Sequence, residues 1–196
     1  GDAYIDSPFM GIAVVGRILE DIGLRVGIIG QPDVNSDIDI KRMGEPKLFW
    51  GVSGGSIDSM VSNYTATKRY RSTDDYTPGG KNDKRPDRAT LVYTNLIRRY
   101  FKNTVPIVLG GIEASLRRLT HYDYWSNTLR KPILFDSKAD YMIYGMGEQA
   151  IIDLGLYLKE GKDVRTIAGL CYISKEPVKE YLQIPSHKEC LENKEK

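Results

Sequence analysis

The sequence predicts an α/β fold with a doubly wound, mostly parallel, Rossmann-like sheet, and three observations carry that prediction. Short apolar strands alternate with helical patterns along most of the 196 residues. Four of these strands run into a glycine turn: Gly30 after Val26–Ile29, and Ser53-Gly54-Gly55-Ser56 after Leu48–Val52. Gly110-Gly111-Ile112-Glu113 follows Val105–Leu109, and Gly145-Met146-Gly147-Glu148 follows Tyr141–Tyr144. Helix-length connections between strands are what parallel neighbours require. In such a sheet all these turns fall on the carboxyl edge, where open α/β folds bind ligands.

Each element has a local reason. Ser7-Pro8 is a hydroxyl N-cap followed by proline at the first helical position. The helix runs through Ile12, Val15, Ile18, Leu19 and Ile22 and stops at Gly23. Arg25–Ile29 reads as a buried strand, Ser36–Met43 as a short helix and Leu48–Val52 as the next strand. Ser56–Tyr64 is helical with Ile57, Met60 and Val61 inward, and Ala89–Lys102 carries the apolar stripe Leu91, Val92, Leu96, Ile97, Phe101. Then come strand Val105–Leu109, helix Ile112–Leu119, strand Ala139–Tyr144, helix Glu148–Lys159 before Gly161, and a last strand over Gly169–Ser174. A helix opens the order where such folds open on a strand, so the expectation is a longer parent interrupted at or inside its first strand.

Two segments break the alternation. Thr67–Arg88 is a polar insertion with seven basic residues, four aspartates and Pro78-Gly79-Gly80, which predicts irregular structure. Residues 175–196 carry five acidic and five basic residues with Pro177 and Pro185, and read as a linker after a domain spanning 1–174.

Composition excludes more than it assigns. The apolar content is 41% and the net charge +2, with no run of about 18 apolar residues that would cross a membrane. The N-terminus lacks the pattern of a signal peptide. Cys171 and Cys190 make no zinc or redox motif, so reduced thiols in a cytoplasmic protein are expected.

None of the glycine turns matches G-x-G-x-x-G or the P-loop. Glu113 and Glu148 stand in the first turns of their helices, where they repel an anion. They either complement the helix dipole or accept hydrogen bonds from a ligand. Arg117 and Arg118 close the helix after the third turn and suit its C-terminal dipole or a bidentate anion. His121-Tyr122-Asp123-Tyr124-Trp125 is poor core and poor linker but a good binding surface, with His121 and Asp123 a possible acid–base pair. Two histidines in the whole chain give no metal-ligand pattern.

Three segments together resemble the N-terminal region of the YgiQ-like radical-SAM proteins. They are Gly1–Pro8, the run Lys84-Arg85-Pro86-Asp87-Arg88 to Thr94, and Leu109 through Arg118 continuing to His121–Trp125. Asp136–Asp140 and the Gly145–Glu148 turn extend the match. The resemblance implies a cobalamin-binding-like domain in front of a barrel that cleaves S-adenosylmethionine at a 4Fe-4S cluster. That cluster needs C-x-x-x-C-x-x-C, which this chain lacks, so no cofactor is expected within it. The D-x-H-x-x-G histidine that ligates cobalt from below is also missing near Asp2, Asp6, Pro8 and Gly11, which weighs against cobalamin.

The expectation is therefore an accessory domain whose partner is the barrel of the same parent chain, with the substrate open. Gly110, Gly111, Glu113, Arg117, Arg118, His121, Tyr122, Asp123, Tyr124 and Trp125 are the candidate interface or substrate site, with Gly145, Gly147 and Glu148 beside them. Two rivals stand next to it. One is RNA binding through the basic insertion, against which its four aspartates weigh. The other is a stand-alone nucleotide enzyme using the Gly110 and Gly147 turns.

Overall fold

A computed structural model describes residues 1–3, 10–178 and 181–193. The expected helix start at Ser7-Pro8 lies outside them. Helix α1 (Gly11–Asp21) is followed by Gly23 in the left-handed region, φ 80°. After it come α2 (Ile38–Lys41), β1 (Trp50–Ser53), α3 (Ser59–Asn63) and α4 (Ala89–Tyr100). Next are β2 (Ile107–Gly110), α5 (Gly111–Leu116), the hairpin strands β3 (His121–Asp123) and β4 (Thr128–Arg130), and α6 (Ile133–Ser137). The order closes with β5 (Tyr141–Ile143), α7 (Glu148–Glu160), β6 (Leu170–Tyr172) and α8 (His187–Glu192).

The main sheet has the order β1-β2-β5-β6, parallel except for β6, which pairs antiparallel with β5. Period 2 sends alternate side chains to opposite faces, and each face has its own core. Ile107 and Leu109 of β2 and Met142 of β5 join Leu96 and Ile97 of α4 and Ile133 of α6. Val108 and Ile143, the intervening residues, pack with Leu19 of α1 and Ile151 and Leu154 of α7. Two layers of helices thus cover a sheet buried on both sides, the α/β arrangement expected from the sequence.

Three expectations are corrected. Arg25–Ile29 pairs with no strand, so the turn at Gly30 belongs to no ladder among the described residues. Its side chains are nevertheless placed as in a strand: Leu24 and Val26 pack in one core and Ile29 in the other. Val61, assigned to the core by helical spacing, is 54% exposed, because α3 starts only at Ser59 and buries Met60 and Asn63 instead. The helix expected to reach Leu119 ends at Leu116, where the chain turns into the β3–β4 hairpin.

The 67–88 insertion is irregular as expected, with two isolated bridges and one turn of 3-10 helix at Pro78–Gly80. It is not a solvated loop. Asp74, Thr77, Asn82 and Arg85 are all buried.

Candidate functional site

The third glycine turn is organised around a carboxylate that never reaches solvent. Glu113 is 1% exposed. One oxygen accepts from the Ser59 N–H at 2.8 Å and the other from the Thr90 N–H at 2.9 Å. Those amides lie in the first turns of α3 and α4, where backbone donors have no partner within the helix. One side chain on α5 therefore caps two other helices, and its charge faces the positive ends of both. Both Glu113 oxygens thus accept from backbone amides of this chain, where the sequence reading places either the dipole of its own helix or donors from a ligand.

The neighbouring glycines make room for this arrangement. A Cβ on Gly54 would lie 2.6 Å from a Glu113 carboxylate oxygen. Gly111 holds φ 81°, and a Cβ there would meet the Ser53 hydroxyl at 2.7 Å. The second and third turns thus close on each other and on Glu113.

A second buried cluster adjoins the first. The Arg85 side chain is fully buried, 2.7 Å from Asp2 and 3.3 Å from Asp74, and it donates to the Gly54 carbonyl at 2.9 Å. Asp2 also accepts from the Ser56 N–H at 2.7 Å. Arg88, at the N-cap of α4, pairs with Asp123 at 2.8 Å. Burial opposes the charge of Asp123, but bonds from Arg88 and Ser126 outweigh it and hold the carboxyl well below the usual range. Arg117 reaches back to Asp58, which caps α3 by accepting from the Met60 N–H.

On the solvent side of these pairs lies an open hollow of about 230 Å³. Arg117, His121, Tyr122, Asp123, Tyr124 and Trp125 line it, joined by Asp58, Val61 and Leu116. Its aromatic wall is continuous: Trp125 lies 5.4 Å from Tyr124 and 5.3 Å from Tyr64 between ring centroids. His121 Nδ1 lies 3.1 Å from the Leu119 carbonyl, so that nitrogen carries the proton and Nε2 is left as a buried acceptor with no partner among the described residues. Burial pushes the imidazole below its ordinary value, the Leu119 bond acting against it. His121 and Asp123 are neighbours on β3 but form no acid–base pair. Asp123 is engaged by Arg88 and Ser126, and His121 by Leu119.

The fourth turn is apart from this hollow. Gly145 donates to the Ser115 hydroxyl at 3.2 Å, and the Arg118 guanidinium lies 5.3 Å from the Tyr144 ring centroid. Gly147 is the N-cap of α7, and Glu148 in its first turn complements the dipole. Gly110, the N-cap of α5, is extended. Between the hollow and the fourth turn runs an apolar surface that sequence reasoning did not single out. Ile112, Leu116, Leu119, Tyr144 and Met146 are exposed by 44, 60, 44, 40 and 88%. Ile112 and Leu116 lie on α5, which the sequence predicts only as a helix, and both face outward.

The whole chain, residues 1–196, matches the family model described as "Radical SAM N-terminal". The chain belongs to the radical-SAM N-terminal family. It is 59% identical over its full length to a "UPF0313 protein" of Fusobacterium nucleatum and 52% identical to one of Thermotoga neapolitana. It spans about a third of the length of these relatives, 34% and 35%. Among solved structures it is similar to the radical S-adenosylmethionine methyltransferase TsrM of Kitasatospora setae, solved with cobalamin and a 4Fe-4S cluster bound. The TM-score is 0.56 and the identity 20%, over 87% of this chain and 27% of that one. A second structure of TsrM, with tryptophan and an S-adenosylmethionine analogue, gives 0.55. At this identity the likeness is one of fold.

Proposed function

We propose that this domain is the non-catalytic front part of a radical-SAM iron–sulfur enzyme, and that its carboxyl edge packs against the catalytic barrel of the same chain. The observation that carries the reading is the surface of Ile112, Leu116, Leu119, Tyr144 and Met146, adjoining the aromatic hollow on that edge. An apolar patch of this kind marks an interface, and the remaining two-thirds or so of the relative's length is available to cover it. In this reading residues 1–174 are the domain and 175–196 lead toward the barrel. The exposure of Leu182 (90%) and Leu191 (56%) fits a segment completed by further contacts.

The cofactors belong to the remainder of the protein. Cys171 and Cys190 provide no triplet for a 4Fe-4S cluster, and no group of three metal-ligating side chains is found among the described residues. The turn after β1 fits cobalamin poorly as well. Glu113 fills the space over Gly54, and Asp2 and Arg85 fill the space over Gly55. The RNA reading loses two of the insertion's seven basic residues, because Arg85 and Arg88 are committed to aspartates.

The test is the full-length protein carrying Leu116→Lys and Met146→Lys. Both positions are exposed, so the domain itself folds normally. The barrel then separates from it, seen as faster hydrogen exchange over α5 and the 144–147 turn. Exchange identical to the wild type refutes the docking. Reconstitution with iron and sulfide that yields neither cluster absorbance nor S-adenosylmethionine cleavage refutes the enzyme assignment itself.

A further inference from the structure

Among the described residues no strand pairs with the outer edge of β1, and the direction of its backbone groups is fixed by the pairing on its inner edge. Trp50 donates to the Pro106 carbonyl, so Trp50 and Val52 present their N–H and C=O groups to β2. Strand alternation then turns the groups of Gly51 and Ser53 toward the open side. One of those groups is engaged there by the chain itself: the Gly1 amine donates to the Ser53 carbonyl at 2.8 Å. That is the bond a parallel neighbour makes with the last residue of a strand.

Ala3 donates to the Tyr76 carbonyl and Gln31 to the Thr77 hydroxyl, so the chain after residue 29 arrives beside Gly1–Ala3. The 24–29 segment leading to it has a strand's side-chain placement without a strand's hydrogen bonds. Leu24 and Val26 enter one core and Ile29 the other. Among the described residues its backbone joins no ladder. Buried backbone groups are nearly always paired, so an extended, half-buried segment beside an open edge calls for a strand between them. The buried Gly1 amine agrees. Burial lowers it to about 5, whereas a peptide N–H at that point makes the same bond to Ser53 with no charge to desolvate.

We infer that the residues immediately preceding Gly1 in the full-length protein form a strand parallel to β1, filling its outer edge and pairing on the far side with the 24–29 segment. The register follows from parallel ladder geometry. The residue directly before Gly1 lies opposite Ser53, and the third before it opposite Gly51. The strand is buried on both faces, so its residues are apolar throughout. Its carboxyl end delivers Asp2 to Arg85, which places the ionic cluster at the terminus of that strand.

The experiment is amide hydrogen exchange on the full-length protein, read residue by residue. The Gly51 and Ser53 amides, which face the proposed strand, exchange within about tenfold of the Val52 amide, which faces β2. Exchange at least about 100-fold faster than Val52, at the rate of the exposed Thr67 amide, overturns the inference. A dilution series separates the remaining occupant. Protection that persists on dilution belongs to the same chain, and protection lost on dilution shows a second copy on the edge and equally overturns it.

Discussion

Replacing Glu113 by alanine tests whether the third turn is a structural joint or a ligand site. The substitution deletes two bonds from buried amides, those of Ser59 and Thr90, to a charged acceptor. Bonds to charged groups contribute about 1.5–3 kcal/mol each, so the loss is about 3–6 kcal/mol. Neither amide has a substitute, since each belongs to the first turn of a helix. Domain stabilities are about 5–15 kcal/mol, which leaves the variant close to unfolding. Glu113→Gln keeps the volume and one acceptor but turns an NH₂ group toward the second amide, costing about half as much. Urea unfolding of this chain, followed by circular dichroism, reads both values. With a slope of about 2 kcal/mol/M, the alanine variant melts about 1.5–3 M earlier. A midpoint within about 0.3 M of the wild type refutes the reasoning, since a ligand-facing carboxylate is removed at little cost in stability.

Gly54→Ala places a methyl 2.6 Å from the same carboxylate and loses about 1–3 kcal/mol by overpacking, measurable in the same titration. Arg85→Met strands two buried carboxylates, Asp2 and Asp74, and costs about 3–5 kcal/mol; an unchanged melting temperature would contradict the buried cluster. His121 titrates below the ordinary 6.5 because burial disfavours its charge. The unfolded chain therefore takes up a proton near pH 6.5 that the folded chain refuses, so this contribution to stability is complete above that pH and is lost as pH falls below it. An NMR titration midpoint at or above 6.5 speaks against it.

Much of the architecture was legible because it rests on periodicity. The strands at 50–53, 107–110 and 141–143 and the helices at 89–100 and 148–160 are short apolar runs or 3.6-residue stripes. The strand expected at Arg25–Ile29 has the right pattern and no ladder, because pairing depends on a neighbour that local sequence does not report. At the candidate site the motif was visible and its geometry was not. Glu113, Arg117 and Asp123 look like ligand-binding groups in a linear reading, yet their partners, Ser59, Thr90, Asp58 and Arg88, lie 23–59 residues away. Arg85 was read as one more charge in a basic loop for the same reason. The hairpin aromatics fared better, since four ring side chains in five residues have few ways to be buried.

The double cap by Glu113 also sets an order of events during synthesis. The amides of Ser59 and Thr90 emerge from the ribosome before the carboxylate that satisfies them, by 54 and 23 residues. Until α5 is made, α3 and α4 can be collapsed but not closed, and such long-range contacts are the slow ones. The glycine-rich signature around Glu113 thus supplies, late in the chain, the acceptor that two earlier helices need at their first turns.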